Sequence, residues 1–180
     1  MHKDHDLALI EDCKKGDQQA LASLVRRYER PVYNVAYRML GTADEAADVS
    51  QTTFLKAFEN LNRYNPEYKF FSWIYRIAVN ESINQLNRRK RLGELGDDEV
   101  APGEGPDESV DTDKLSVQIQ AALAALSEDH RAVVVLRHFS EHSYRDIAMM
   151  LQIPEKTVKS RLFSARKAMK VQLEGKGVSL

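Results

Sequence analysis

From Gly93 to Asp113 the chain reads GELGDDEVAPGEGPDESVDTD, with nine acids, no base, and six glycines or prolines. Large apolar side chains are almost absent from this stretch, so burial cannot offset the entropy of ordering it. No single core can run through such a segment. We read 93–113 as a flexible acidic linker that divides the 180 residues into lobes at 1–92 and 114–180.

The charge is segregated around this linker. Residues 61–92 carry seven Lys or Arg against two acids, and residues 114–180 carry eleven against six, so each has a net charge of +5. The linker carries −9, and the whole chain sums to only −1. Local fields act on a partner, so two basic surfaces suit nucleic acid even though the average is neutral. The same pattern suggests that the linker acids compete with DNA for both basic surfaces when no other partner is present.

Cys13 is the only cysteine, which excludes an intrachain disulfide and a multi-cysteine zinc site. No apolar run approaches the roughly 20 residues of a membrane span, and MHKDHDLALI lacks a secretion signal core. The expectation is a cytoplasmic protein with no membrane insertion.

Both lobes carry helical spacing. Leu21, Leu24, Val25 and Tyr28 recur at i, i+3, i+4 and i+7, and Val32, Val35, Ala36, Met39 and Leu40 continue past Pro31 to a stop at Gly41. Thr42 with Glu45 forms a capping-box pattern ahead of an apolar face at Ala47, Phe54, Phe58 and Leu61. After the polar loop 62–69, a helix over 70–91 is expected to bury Phe70, Ile74, Ile77 and Ala78. Arg76, Asn80, Asn84, Asn87, Arg88 and Arg91 form a polar stripe along its other side. In the second lobe Leu115, Ile119, Ala122, Leu123 and Leu126 make one helix, and Ser127 caps the next. The run Val133–Leu136 fits a strand by propensity, but the cap and the helical neighbours favour a buried helix. The fold class is all-α.

The last lobe holds the most specific motif. Ser143 with Asp146 is a second capping box, and Tyr144, Ile147, Ala148 and Leu151 share one face. Gln152, Ile153 and Pro154 interrupt that helix, and Pro154 opens another whose inner face is Val158, Leu162, Ala165 and Met169. Its outer face is Lys156, Lys159, Ser160, Phe163, Ser164 and Lys167. Two helices about a three-residue turn, with six bases against one acid in 154–170, make a helix-turn-helix with a basic recognition helix. Amines and hydroxyls there suit base edges and phosphates. A solvated basic helix closing a bundle is the plainer alternative.

SYRDIAMMLQIPEKTVKSRLFSARKAM resembles region 4 of RNA polymerase sigma factors, and DVSQTTFLKAF followed by FFSWIYRIAVNESINQLNRRKR resembles their region 2. With both in order and no region 3 between them, the chain resembles the extracytoplasmic-function (group 4) sigma factors over residues 7–172.

The resemblance implies a non-enzymatic specificity subunit without cofactor or metal. Asp48, Gln51, Phe54 and Leu55 would dock on the clamp helices of core polymerase. Asn62, Arg63, Tyr64, Asn65, Tyr68, Lys69, Trp73, Arg76, Asn80, Asn84 and Arg88 would read and open the single-stranded −10 element. Ser143, Tyr144, Lys156, Thr157, Lys159, Ser160, Arg161, Phe163, Ser164 and Lys167 would read duplex DNA at the −35 element, with region 4 also touching the polymerase flap. An anti-sigma factor is a further implied partner. A pocket in the loop 62–69, with Tyr64 or Tyr68 to stack on, would repay the few kcal/mol of extruding a base. Three positions depart from the family pattern: Thr52 replaces an acid, Gln152 the turn glycine, and Ser164 a frequent arginine. A free-standing helix-turn-helix regulator is the alternative function, though it leaves the aromatic, basic stretch 62–91 without a role.

Other residues invite sharper readings. HFSEH (His138, Glu141, His142) matches a zinc-peptidase pattern, but a helix start at Ser143 breaks the continuous face that two histidine ligands require. Trp73 fits either core packing or a strand-separation surface. Cys13 reads as inert rather than as a redox switch.

Overall fold

The computed structural model describes residues 2–93 and 110–175 as an array of helices, with no strand among the described residues. Helix α1 spans His2–Lys14 and α2 spans Gln18–Leu40. Asp17 caps α2 by accepting from the Gln19 and Ala20 amides at 2.7 and 3.2 Å. Pro31 lies inside α2, and Gly41 ends the helix at φ 85°, a left-handed conformation that glycine tolerates without strain. Arg27 pairs with Asp6 of α1, and the Tyr28 hydroxyl donates to the same carboxylate at 2.6 Å. Burial and that carboxylate push the Tyr28 phenol well up.

Helix α3 spans Ala43–Glu59, and its start corrects the expected capping box. The Thr42 side chain makes no bond to the helix backbone; its hydroxyl donates to Glu45 Oε2 at 2.6 Å. Arg89 explains why, since it binds Glu45, the Leu40 carbonyl and the Thr42 hydroxyl together. The buried face is also shifted by one position. Ala46, Val49, Thr53, Phe54 and Ala57 are buried, whereas Ala47 is exposed and Phe58 only partly covered.

A 3₁₀ turn at Leu61–Arg63 leads through the loop to α4, Phe70–Gly93. Phe70, Ile74 and Ala78 are buried as expected, but Ile77 is half-buried while Tyr75, Val79, Ser82 and Leu86 go inside. Small residues on that face let α4 lie close against α2 and α3.

Residues 94–109, most of the stretch read as a linker, lie outside the described residues. Helix α5 begins within that stretch, spanning Val110–Ala124. Ala122 and Leu123 are buried; Leu115 is exposed, and Gln120 is buried instead. Ser127 caps α6 (Glu128–Val134), its oxygen accepting from the His130 amide. The valine run is helical throughout, continuing into one π-type stretch at Val135–Phe139, with Val133–Leu136 wholly buried. Helices α7 (Tyr144–Leu151) and α8 (Glu155–Glu174) complete the fold. No helix among the described residues is long and apolar enough to cross a membrane.

The two lobes pack into one continuous core. Its seam runs between α4 and α7, and between the C-terminal end of α2 and the helices of the second lobe.

Candidate polymerase and nucleic-acid interface

Three surfaces gather most of the expected residues. The first is an apolar groove of about 730 Å³ between α2 and α3, lined by Leu21, Val25 and Tyr33 opposite Phe54, Leu55 and Phe58. Ala47 lines it too, so Ala47, Leu55 and Phe58 form the wall of a groove and not the core, while Phe54 belongs to both. Phe54 and Phe58 stack with centroids 6.1 Å apart. Gln51 lines the groove, Asp48 is exposed one turn before it, and Leu55 is 57% exposed. A leucine that open to water, beside an apolar trough, marks a surface built to be covered.

The second surface is α4 and the loop before it. Asn62, Arg63, Asn65, Tyr68 and Lys69 are exposed, with Asn65 Oδ1 accepting from the Glu67 amide at 2.9 Å in a local turn. Tyr64 corrects the sequence reading: it is only 5% exposed, packed edge-on to Phe70 (5.7 Å) and against Trp73 (5.5 Å). Its hydroxyl donates to the Tyr68 carbonyl at 2.6 Å, and burial pushes its phenol up to about 12. Tyr64 therefore shapes the loop and cannot stack on a base; Tyr68, 49% exposed, has an open ring. Trp73 is half-buried in the same aromatic cluster. Asn80, Asn84, Asn87, Arg88 and Arg91 face solvent along α4, while Arg76 donates to Gln152 Oε1 at 2.7 Å.

The third surface is α8. The Ser143 side chain caps α7, its oxygen accepting from the Asp146 amide at 3.1 Å, and its hydroxyl donates to the Asp146 carboxylate. Gln152 closes α7 at φ 54°, taking the left-handed conformation of a turn glycine, with its amide donating to Ala148. Val158, Leu162 and Ala165 are buried and Met169 is half-buried. Lys156, Lys159, Ser160, Ser164 and Lys167 are exposed, and Phe163 is 73% exposed among them. Thr157 is half-buried. Tyr144 lies beneath Arg137 and Lys159, 5.0 and 5.8 Å from its ring centre. Arg161 turns back instead, pairing with Asp129 of α6 at 2.6 Å.

The histidines of HFSEH go separate ways. His138 Nε2 accepts from Arg166 Nε at 3.2 Å, and burial with two neighbouring arginines lowers its pKa. His142 stacks on Phe71 of α4, and burial pulls it down to about 4.

Residues 24–92 match the family model for Sigma-70 region 2, and residues 116–169 that for Sigma-70, region 4. The chain is 37% identical over 177 residues to the ECF RNA polymerase sigma factor SigW of Bacillus subtilis (strain 168), covering 91% of this chain and 94% of that protein. It belongs to the extracytoplasmic-function RNA polymerase sigma factors. A second relative is the RNA polymerase sigma-H factor of Pseudomonas aeruginosa, 33% identical with 96% and 95% covered. Among solved structures, CnrH in complex with the cytosolic domain of CnrY has a TM-score of 0.73 at 25% identity, covering 94% of this chain and 97% of that one.

Region 2 of this sigma factor thus holds the groove and the α4 stripe, and region 4 holds α8. Sequence reasoning missed the residues that lock these regions in place. Asp6, Arg89 and Arg131 each act across more than twenty residues or satisfy backbone carbonyls at helix ends, and no local spacing announces either role.

Proposed function

We propose that this ECF sigma factor divides promoter recognition among its three surfaces. Gln51, Phe54 and Leu55, flanked by Asp48, seat the clamp helices of core RNA polymerase in the α2–α3 groove. The loop 62–69, with Tyr68 as its open ring, and the stripe Arg76, Asn80, Asn84 and Arg88 engage the −10 element as a single strand. Amides and guanidinium groups there offer donors to bases and phosphates without demanding a duplex. Tyr64 and Trp73 hold the shape of that loop.

Helix α8 reads the −35 element through Lys156, Lys159, Ser160, Phe163, Ser164 and Lys167. Arg161 supports it from behind through Asp129, and Ser143 and Tyr144 bring the capped end of α7 to the DNA backbone. Ser164 gives this chain a neutral, short side chain at a base-facing position, which favours its own −35 sequence. An anti-sigma factor is a further partner in this reading; CnrH, which this chain resembles in fold, is likewise found in complex with another protein, the cytosolic domain of CnrY.

The observation that carries this reading is that one chain holds two separate exposed polar, basic faces, on α4 and α8, beside an uncovered apolar groove. A free-standing regulator has no use for the groove or the loop. The test is run-off transcription from a genomic promoter library with purified protein and core polymerase. Transcripts dependent on the protein support the proposal, and a tight two-fold symmetric DNA complex without polymerase supports the regulator instead.

A further inference from the structure

The loop 62–69 is anchored by one side chain. Every residue in it except Tyr64 is exposed. Tyr64 enters a cluster with Phe70 and Trp73, whose own ring centres lie 5.7 Å apart, and its hydroxyl donates to the Tyr68 carbonyl. That bond closes residues 64–68 into a ring. Within it Asn65 accepts from the Glu67 amide through its side chain and from the Tyr68 amide through its carbonyl. The open ring of Tyr68 therefore stands where the aromatic cluster sets it.

The cluster is in turn oriented from α1. Phe70 is 2% exposed and meets the Tyr28 ring edge-on, with centroids 5.3 Å apart and planes at 64°. The Tyr28 hydroxyl donates to Asp6 Oδ2 at 2.6 Å and Arg27 pairs with Asp6 Oδ1, so both oxygens of this carboxylate take a donor from α2. Asp6 is 4% exposed and lies one turn before the wholly buried Ile10. An apolar side chain at position 6 would hold α1 on α2 without the desolvation cost of a buried carboxylate. What the carboxylate adds is direction. Its hydrogen bond fixes where the Tyr28 ring points, and a satisfied buried polar network selects one arrangement. The Asp6 charge also reaches Tyr64, where it adds to burial in raising the phenol. Helix α1 touches the 3₁₀ turn that opens the loop as well. Position 6 lies outside residues 24–92, which match Sigma-70 region 2.

We propose that Asp6 is a positioning residue for −10 recognition: from α1, through Tyr28 and Phe70, it holds Tyr64 and hence the loop 62–69 in the shape that receives a base of the single strand. It touches no DNA itself. The proposal rests on the reading of that loop as part of the −10 surface. A loop already held in its bound shape spares the ordering cost of binding. Without the tie the loop keeps that shape in only a fraction of the molecules, and single-strand affinity falls by the same fraction. The groove beside α3 and the outer face of α8 share no residue with this chain of contacts, so polymerase and duplex binding are unaffected.

The test compares the full chain with Asp6→Asn and Tyr28→Phe. The first keeps the side chain's shape and loses the charge; the second keeps the ring against Phe70 and loses only the hydroxyl. The unmodified chain, assembled with core polymerase, is offered short single strands of random sequence, with core polymerase alone as background, and the enriched strand is labelled with fluorescein. Affinity for that strand relative to a scrambled one should fall by about fivefold in Asp6→Asn and about threefold in Tyr28→Phe, with affinity for core polymerase and for a random duplex unchanged. Trp73 is the only tryptophan, so acrylamide quenching of the free chain reads the cluster directly and should rise in both variants. A merely structural role moves neither readout at a temperature where the helical signal is complete. Unchanged strand selectivity, a fall in selectivity without a rise in quenching, or equal losses on duplex and single strand each overturn the proposal. If Asp6→Asn does not fold, Tyr28→Phe decides alone. Absence of any enriched strand with the unmodified chain overturns instead the −10 reading beneath it.

Discussion

At the residue scale, the side chains that matter most are those whose partners lie far away in sequence. Arg131 donates to the Met39, Ala124 and Leu126 carbonyls from a buried position. Arg131→Met should cost about 2–4 kcal/mol, because three carbonyls lose a charged donor; urea unfolding measures it, and a cost under about 1 kcal/mol contradicts that role. Gln152 occupies φ 54° where glycine is freer. Gln152→Gly should relieve about 1 kcal/mol of backbone strain, part of which returns as unfolded-state entropy, and should free Arg76. His142 sets a pH dependence for the packing of the second lobe on α4. Its neighbours are Asp146, which favours the charged ring, Lys69, which opposes it, and the neutral rings of Phe71 and Tyr75; burial outweighs them and lowers the pKa to about 4. Because the packed seam disfavours the proton, its contribution to stability is full above about 6.5 and weakens as pH falls from there towards about 4. Energy transfer between dyes on the two lobes should fall over that window, and His142→Phe should flatten the profile. A flat profile in the unmodified chain contradicts the sign.

At the element scale, helical spacing told which residues share a face but not what covers that face. The helix-turn-helix was legible because caps, turn and inner face agree: Ser143 caps α7, Gln152 breaks it, and Val158, Leu162 and Ala165 turn inward. In α3 the same logic slipped by one position. Ala47 and Phe58 are as apolar as core residues yet line an open groove, because a surface meant for a partner carries the same periodic signature as a core. Tyr64 and Tyr68 were indistinguishable by type, and only the aromatic cluster around Phe70 separates the buried ring from the open one. Leu55→Asp should therefore leave stability within about 0.5 kcal/mol, as an exposed side chain does, yet weaken core polymerase binding by about tenfold or more. Equal polymerase affinity removes the groove from the interface. On α8, Lys167→Ala should weaken duplex binding across all sequences and reduce the slope of log affinity against log salt by about 0.9, the signature of one lost phosphate contact. An unchanged slope places Lys167 off the DNA.

At the scale of the whole molecule, the two regions must be read together. Segregated charge pointed to two basic surfaces, and α4 and α8 carry them. The seam between them was not legible, because Gln120, Arg131 and His142 carry no local pattern that distinguishes a buried interlobe contact from surface polarity. On the proposed reading, the molecule is a specificity subunit whose loop 62–69, α4 stripe and outer α8 face are all largely exposed. The groove beside α3 is open, as the proposed seat for core polymerase must be. The most direct measurement is run-off transcription by core polymerase over a genomic promoter library, with and without the purified chain. The account predicts discrete transcripts that require the chain and disappear with Leu55→Asp. Transcription no different from core polymerase alone, at every promoter in the library, contradicts it.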